Sequence, residues 1–216
     1  MGKDPSKSGD VPCKDVMAVT GNLSSVFGGD TFEAVASTHD ETAPGELELV
    51  RTFINTTDLL RETEGLAAPA ALRAWLAERG LIDPRATVTQ EGVARAREVR
   101  EALRALVEAN SGTPCAPGNL ATLREAAARA PLHVMFDSAR ATTRLEPLDR
   151  GIDGALGRLL AIVHGAMESG EWRRIKACHD ADCRWAFYDH SKNRSATWCD
   201  MASCGNRNKA RRRRAR

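Results

Sequence analysis

Hydrophobic residues recur at helical spacing through most of the chain between residues 45 and 170. Apolar positions three and four apart predict helices in ELELVRTFINTTDLL and in residues 69–80 and 90–109. Another helix is expected over residues 119–129, with Asn119 as its cap, and a last one over residues 152–167. These segments have one apolar and one charged side, so they predict a predominantly helical domain with a shared core.

Two shorter segments, LHVMFD and TTRLEPL, are partly alternating and predict the strands of a small β hairpin or sheet. The fold class is therefore α+β, with helices dominating residues 45–170. Residues 1–44 are rich in Ser, Thr, Gly and Asp and show no sustained period. We expect them to form a mostly disordered polar arm.

The composition of the chain indicates the cellular compartment in which it is expected. No run of eighteen apolar residues occurs, and the polar first residues do not resemble a secretory signal, so we expect a cytoplasmic protein without membrane contact. The chain has six cysteines. In a reducing compartment, clustered cysteines bind metals or do chemistry more often than they form disulfides.

Charge is distributed unevenly. Residues 171–216 contain 13 Lys or Arg and 5 Asp or Glu, whereas the preceding 170 residues contain 18 and 24, although the whole chain carries only +2. The final segment is thus basic and the body acidic. A solvated basic tail and a surface for a polyanion are both compatible with this pattern.

Four of the cysteines form two Cys-x4-Cys pairs, CHDADC and CDMASC, separated by fifteen residues. Each pair can supply two sulfurs from one tight turn, and four thiolates favour Zn²⁺ in a closed structural site. We predict one structural zinc ion. Its ligands are Cys178, Cys183, Cys199 and Cys204. With these four available, His179 and His190 are expected to be bystanders.

Between the pairs, Trp185 and Phe187 alternate as strand residues do, and residues 189–193 are suited to a hairpin turn. A module of this size has little core of its own, so we expect Trp185, Phe187 and Trp198 to wrap the metal site. Stacking of these rings on nucleic-acid bases is the alternative.

The segment from Cys178 onward, with W-x-F-x-D-x-S-x-N and then W-C-x-M-x-x-C-G-N-R, resembles the CGNR zinc finger, a treble-clef-like module. The upstream segments LELVRTFINTTDLL and PAALRAWLAERGLI are similar to the ABATE domain of bacterial stress-induced transcription regulators. The resemblance implies an ABATE-like domain over residues 45–170 and the finger over 171–216, and the polar arm predicted from composition, residues 1–44, precedes them.

In such a finger, Gly205 lets the backbone leave the metal site without a clash, and the following helix projects basic side chains. An α-helix fits the DNA major groove, where Arg reads guanine and Asn adenine, while the arginine run suits phosphates. The candidate nucleic-acid contacts are Asn206, Arg207, Lys209, Arg211, Arg212, Arg213 and Arg214. For Asn206 and Arg207 the alternative is a structural role beside the zinc site.

These features lead to the hypothesis of a nucleoid-associated transcription regulator that binds double-stranded DNA. Its helical domain would sense a small-molecule effector or form a homodimer. Two alternatives remain open, an RNA-binding protein and a sensor whose cysteines lose zinc on oxidation. The sequence contains no Gly-rich phosphate loop and no Gly-x-Ser-x-Gly motif, so we do not expect an enzyme.

Overall fold

The computed structural model of the protein describes residues 42–139 and 141–215. All of them belong to one compact unit. The expectation of a disordered arm concerns residues that lie, apart from the last three, outside the described part. Within these two described ranges, no helix combines the length and apolarity needed to cross a membrane.

The described part of the chain contains helices and two-stranded antiparallel sheets, as the α+β prediction requires. The helices are α1 (Leu47–Ile54), α2 (Pro69–Glu78), α3 (Gln90–Ala109), α4 (Pro117–Arg129), α5 (Ile152–Glu168) and α6 (Asn206–Arg214). The paired strands are β1 (Thr57–Asp58) with β2 (Thr63–Glu64), β3 (Leu132–Asp137) with β4 (Thr142–Pro147), and β5 (Ile175–Ala177) with β6 (Ala186–Tyr188).

The longest helix, α3, lies at the centre of the fold and contacts α1, α2, α4, α5 and β5. Thr89 starts it, because the Thr89 hydroxyl accepts a hydrogen bond from the Gly92 amide at 3.1 Å. The apolar side of α3, including Val93, Ala96 and Leu103, is fully buried. The predicted 3.6-residue period therefore identified the buried face correctly.

Two details of the helix predictions were wrong. Helix α1 ends at Ile54 rather than near Leu60, which is 43% exposed in a turn. In that turn, the Asp58 carboxylate accepts hydrogen bonds from the Leu60 and Arg61 amides, and this local bonding replaces a further helical turn. Helix α4 begins at Pro117 after Ala116, with no side-chain cap, so Asn119 is not the cap residue.

The hydrophobic core continues past residue 170 into the C-terminal segment. Strand β5 packs on α3 and β6 on α1, and the buried Ile175, Ala177, Ala186 and Tyr188 belong to the same apolar cluster as the helices. The predicted boundary near residue 170 therefore falls within a shared core. Independent folding of residues 45–170 stays a prediction.

Polar side chains also join the helices to this segment. The Asn55 amide pairs with the backbone of Ala186 through two bonds of 2.8 Å. The Arg104 guanidinium, fully buried, donates to the carbonyls of Ile54 at 2.5 Å and of Arg184 at 2.9 Å. Asn110 donates to the carbonyls of Trp172 and Ile175 at 2.8 and 2.9 Å.

Candidate metal centre and nucleic-acid helix

The first cysteine pair lies in the turn that connects β5 to β6. The two strands pair from Ile175 opposite Tyr188 to Ala177 opposite Ala186, and the Cys178 amide extends the ladder by donating to the Trp185 carbonyl at 2.9 Å. The turn closes where Cys183 donates to the Asp180 carbonyl at 2.9 Å. This local bonding directs the sulfurs of Cys178 and Cys183 to the same side.

The second pair lies at the start of a helical segment. Cys199 precedes a π-helical turn, Met201–Gly205, which contains Cys204 and runs directly into α6. The Asp200 carboxylate caps this turn by accepting from the amides of Ala202 and Ser203 at 3.0 Å. The position of Cys204 is therefore tied to the direction of α6.

The four cysteines converge, and their sulfurs all lie within 4.8 Å of one another. The Cys183 and Cys199 sulfurs are 3.6 Å apart, and those of Cys199 and Cys204 are 3.7 Å apart. Zinc–sulfur bonds of about 2.3 Å in a tetrahedron place sulfurs about 3.8 Å apart. The geometry thus fits a four-thiolate zinc site, as the sequence predicts.

The hydrogen bonds between the closely spaced cysteine sulfurs shift their pKa values in a way that favours binding of a cation. Donation of a hydrogen bond from Cys183 lowers the pKa of Cys178, while the same bond raises the pKa of Cys183 to about 12. Burial raises the pKa of Cys204. Without a cation the cluster stabilises one thiolate at the expense of its neighbours, whereas a divalent cation stabilises all four.

Two aromatic side chains cover the sulfurs. Trp185 and Trp198 pack against the cysteine cluster, as predicted, and both are half-buried. Phe187 is buried elsewhere and is not part of this cluster. Gly205 is needed for close packing here, because a Cβ atom at this position would lie 2.4 Å from Met201 Sδ and 3.3 Å from Trp198 Cδ1.

The predicted hairpin between the two pairs does not form. Strand β6 instead pairs with the preceding strand β5. The loop after β6 folds around a buried ion pair in which Lys176 Nζ lies 2.7 Å from Asp189 Oδ2. Asp189 also accepts from the Ala196 amide at 3.0 Å. Burial alone raises the pKa of Asp189, but hydrogen bonds from Lys176 and Ser191 outweigh it and hold the pKa below its usual value.

One face of α6 is bound to the first cysteine turn, through the fully buried carboxylate of Asp180. Arg211 donates to Asp180 at 3.0 Å and to Asp182 at 2.5 Å. Arg207 Nε lies 3.4 Å from Asp180 Oδ2, and Arg207 Nη2 lies 3.5 Å from Cys204 Sγ. The Asn206 amide donates to the Ala202 carbonyl at 3.0 Å. In this structure Asn206, Arg207 and Arg211 therefore contact residues of the two cysteine turns.

The other face of α6 is basic and exposed. Lys209, Arg212 and Arg213 lie three and four residues apart, opposite the face of Arg207 and Arg211. Their side chains make no hydrogen bond or ion pair with any residue of the described ranges, and the same holds for Arg214. The last turn thereby places positive charge at the helix C-terminus, where the helix dipole favours it.

Sequence reasoning missed the two acidic residues that orient α6. Asp180 and Asp182 lie between the first two cysteines, in CHDADC. Their signal was the presence of two acidic residues between the first two cysteines, within a segment of net positive charge. A carboxylate within a metal-binding turn is a natural partner for an arginine on the closing helix.

A hairpin and a helical turn that bring four cysteine sulfurs together, followed by a basic helix, define the class of zinc-finger proteins. Comparison with protein families agrees. The CGNR zinc finger family model matches residues 174–216, and it and the cysteine cluster support one structural zinc ion.

The helical part gives the family of the whole chain. Residues 47–168 match the ABATE family, described as "putative stress-induced transcription regulator", and this match covers more than half of the chain. The protein belongs to this family. Neither family is one of enzymes. No curated protein matches the chain.

Proposed function

We propose that the protein is a transcription regulator that binds double-stranded DNA through α6, in the cytoplasm and in association with the nucleoid. In this proposal Cys178, Cys183, Cys199 and Cys204 are the ligands of one structural zinc ion. When bound, the zinc holds the two cysteine turns together. Cys204 and the helix share one continuous helical segment, so the metal site fixes where α6 points.

The observation that carries this proposal is the division of α6 into a paired face and a free face. Nine residues of helix extend about 13 Å, enough to enter a DNA groove. Lys209, Arg212 and Arg213 on the free face, and Arg214 one turn after Arg211, carry charges that no acidic group of the described residues pairs with. Fixed, unpaired cations on one helix suit the phosphates of a duplex.

The paired face has a different role in this proposal. Asp180 pairs with Arg211 and Arg207, and the Ala202 carbonyl accepts from Asn206, so DNA would compete with contacts that these side chains already make. We therefore assign phosphate contacts to Lys209 and Arg212–Arg214, and a positioning role to Asn206, Arg207 and Arg211. Any base reading by the paired face would require rearrangement on binding.

A small-molecule effector has a suitable place in the helical part. A cavity of about 590 Å³ lies between the start of α1, β4 and α5. Its volume is within the range of ligand sites, and its wall combines apolar residues with a charged pair, Arg158 and Glu46. Gly165 lines the cavity with free space around its Cα. Gly165→Leu should therefore block an effector that shifts DNA affinity, without altering DNA binding in its absence.

Two adjacent arginines provide a matched test of the DNA-binding proposal. Arg211 and Arg212 are both exposed on α6, but only Arg211 is paired with acidic residues. Arg212→Ala should weaken binding to a duplex selected from a random pool and reduce the salt slope by up to about 0.9 log units, the contribution of one phosphate contact. Arg211→Ala should change the slope less and release zinc to a chelator faster.

The controls are a scrambled duplex and a structured RNA, each titrated at several salt concentrations. Equal slope losses in the two variants would refute the division of α6 into two faces. Tighter binding to the RNA than to the selected duplex would instead favour the RNA-binding alternative. Within the four-cysteine cluster, only Cys199 is half-buried, so peroxide should reach it before the other three ligands. Zinc release at low peroxide dose, with DNA binding absent, would favour the redox sensor.

A further inference from the structure

Strand β3 is an open edge of its sheet. Within the described residues it pairs only with β4, from Leu132 opposite Pro147 to Asp137 opposite Thr142. Beyond the first of these pairs, the Leu148 amide donates to the Pro131 carbonyl at 3.1 Å, so Pro131 and Leu148 form a hydrogen-bonded pair. Hydrogen-bonded and non-hydrogen-bonded pairs alternate along an antiparallel ladder. The N–H and C=O groups of Leu132, Val134 and Phe136 therefore point away from β4.

The same three residues present apolar side chains. Leu132, Val134 and Phe136 share one face of the strand and are 36%, 53% and 78% exposed. An edge that offers free backbone groups beside an apolar face is a template for pairing with another strand. Proteins usually protect such edges with charges, proline or a covering element. Pro131 and Asp137 flank this edge, but residues 132–136 contain no Pro, Asp, Glu, Lys or Arg, and no other strand of the described residues pairs with it.

We propose that the β3 strands of two copies of this chain pair antiparallel about a two-fold axis, which joins their hairpins into a four-stranded sheet. A second copy of the chain is favoured as the partner of this edge, because two antiparallel β3 strands are complementary to each other. A two-fold axis perpendicular to the sheet must place one residue opposite itself, and it keeps each face of the sheet the same in both copies. The apolar face of one copy then continues into that of the other.

Side-chain chemistry selects the residue on the axis. With Met135 opposite itself, Val134 lies opposite Phe136 of the second copy, and both have outward-pointing backbone groups. On the other face, His133 then lies opposite Asp137 of the second copy, and this favourable pair occurs twice. With Val134 on the axis, His133 would instead lie opposite Met135 of the second copy, and this pair would be lost.

This inference names the surface of the expected homodimer, and it is independent of the proposed DNA binding because the oligomeric state is measured without nucleic acid. Light scattering of the zinc-loaded full chain, over a range of concentrations, should give twice the mass of one chain. Phe136→Asp should shift the protein to monomer by placing a charge in the apolar face. Leu60→Asp, at an exposed leucine in the turn between β1 and β2, is the matched control and should remain dimeric.

A backbone variant tests the pairing itself. The Val134 N–H points away from β4, so Val134→Pro removes a bond to the second copy while it preserves the β3–β4 ladder. We expect a monomer whose circular dichroism matches that of wild type. A wild-type monomer at every concentration would overturn the proposal, and a dimer that survives both Phe136→Asp and Val134→Pro would place the interface elsewhere.

Cross-linking tests the register. Residues on the axis in a non-hydrogen-bonded pair have Cα atoms about 4.5 Å apart, within the range of disulfides. Met135→Cys should therefore give a covalent dimer with oxidised glutathione, and Val134→Cys should not. Wild type controls for the native cysteines. The opposite result, a covalent dimer through Val134→Cys alone, would refute the register centred on Met135.

Discussion

Replacing Asn55 with alanine should destabilise the helical part and the zinc module together. The Asn55 side chain makes two hydrogen bonds of 2.8 Å with the backbone of Ala186, which is fully buried in β6. Each bond contributes about 0.5–1.5 kcal/mol net, and buried groups left without a partner fall at the upper end. We therefore expect a loss of about 2–3 kcal/mol, which for a chain of this size lowers the Tm by about 4–12 °C.

The measurements are thermal unfolding of the zinc-loaded protein and the rate of zinc transfer to a chromogenic chelator. If the shared core couples the two parts, a loss of about 2 kcal/mol raises the opened fraction by about 30-fold, and zinc release should accelerate accordingly. Asn119→Ala is the control, because the Asn119 side chain has no hydrogen bond to any described residue. A lower Tm with unchanged zinc release would refute the coupling and support independent folding of residues 45–170.

Two further predictions concern single residues. Metal analysis should find one zinc per purified wild-type chain and clearly less in Cys199→Ser, since four thiolates converge on one site; a zinc-free wild type with a folded C-terminal module would contradict this. Arg104→Met should cost about 2–4 kcal/mol in chemical denaturation, because two buried carbonyls, those of Ile54 and Arg184, lose their donor; Arg124→Met, on the exposed side of α4, should change stability by less than about 0.5 kcal/mol.

The sequence predicted the helices and the cysteine cluster well because both depend on local patterns. The helices α2 to α5 and the β3–β4 hairpin appear in the structure at nearly the expected bounds, and α1 forms but ends six residues early. The Cys-x4-Cys pairs predicted convergence, since each pair is closed by its own short turn. Errors arose where side chains bond to nearby backbone, as Asp58 does after α1, because such local bonding competes with helix continuation without disturbing the hydrophobic pattern.

The pairing of β6 could not be predicted, since it depends on residues far from the strand itself. The alternation of Trp185 and Phe187 is compatible with a hairpin to a following strand and equally with a hairpin to the preceding strand β5. The pairing of β6 with β5 places the backbone of Ala186 within hydrogen-bond distance of Asn55, which lies 131 positions earlier in the chain. It also buries Lys176 beside Asp189. These contacts come from the helical part and from the following loop, so no window around β6 contains the deciding information.

The roles of the arginines on α6 also depend on contacts that the local sequence does not reveal. Arg211 and Arg212 are adjacent and have nearly identical sequence neighbours, yet the helix turns by about 100° between them. That rotation places Arg211 against Asp180 and Asp182 and leaves Arg212 without an acidic partner among the described residues. Under the proposed DNA binding, a count of basic residues therefore overestimates the phosphate contacts of this helix. Charges already paired within the protein release few counterions on binding, so the salt dependence of binding should report the free face alone.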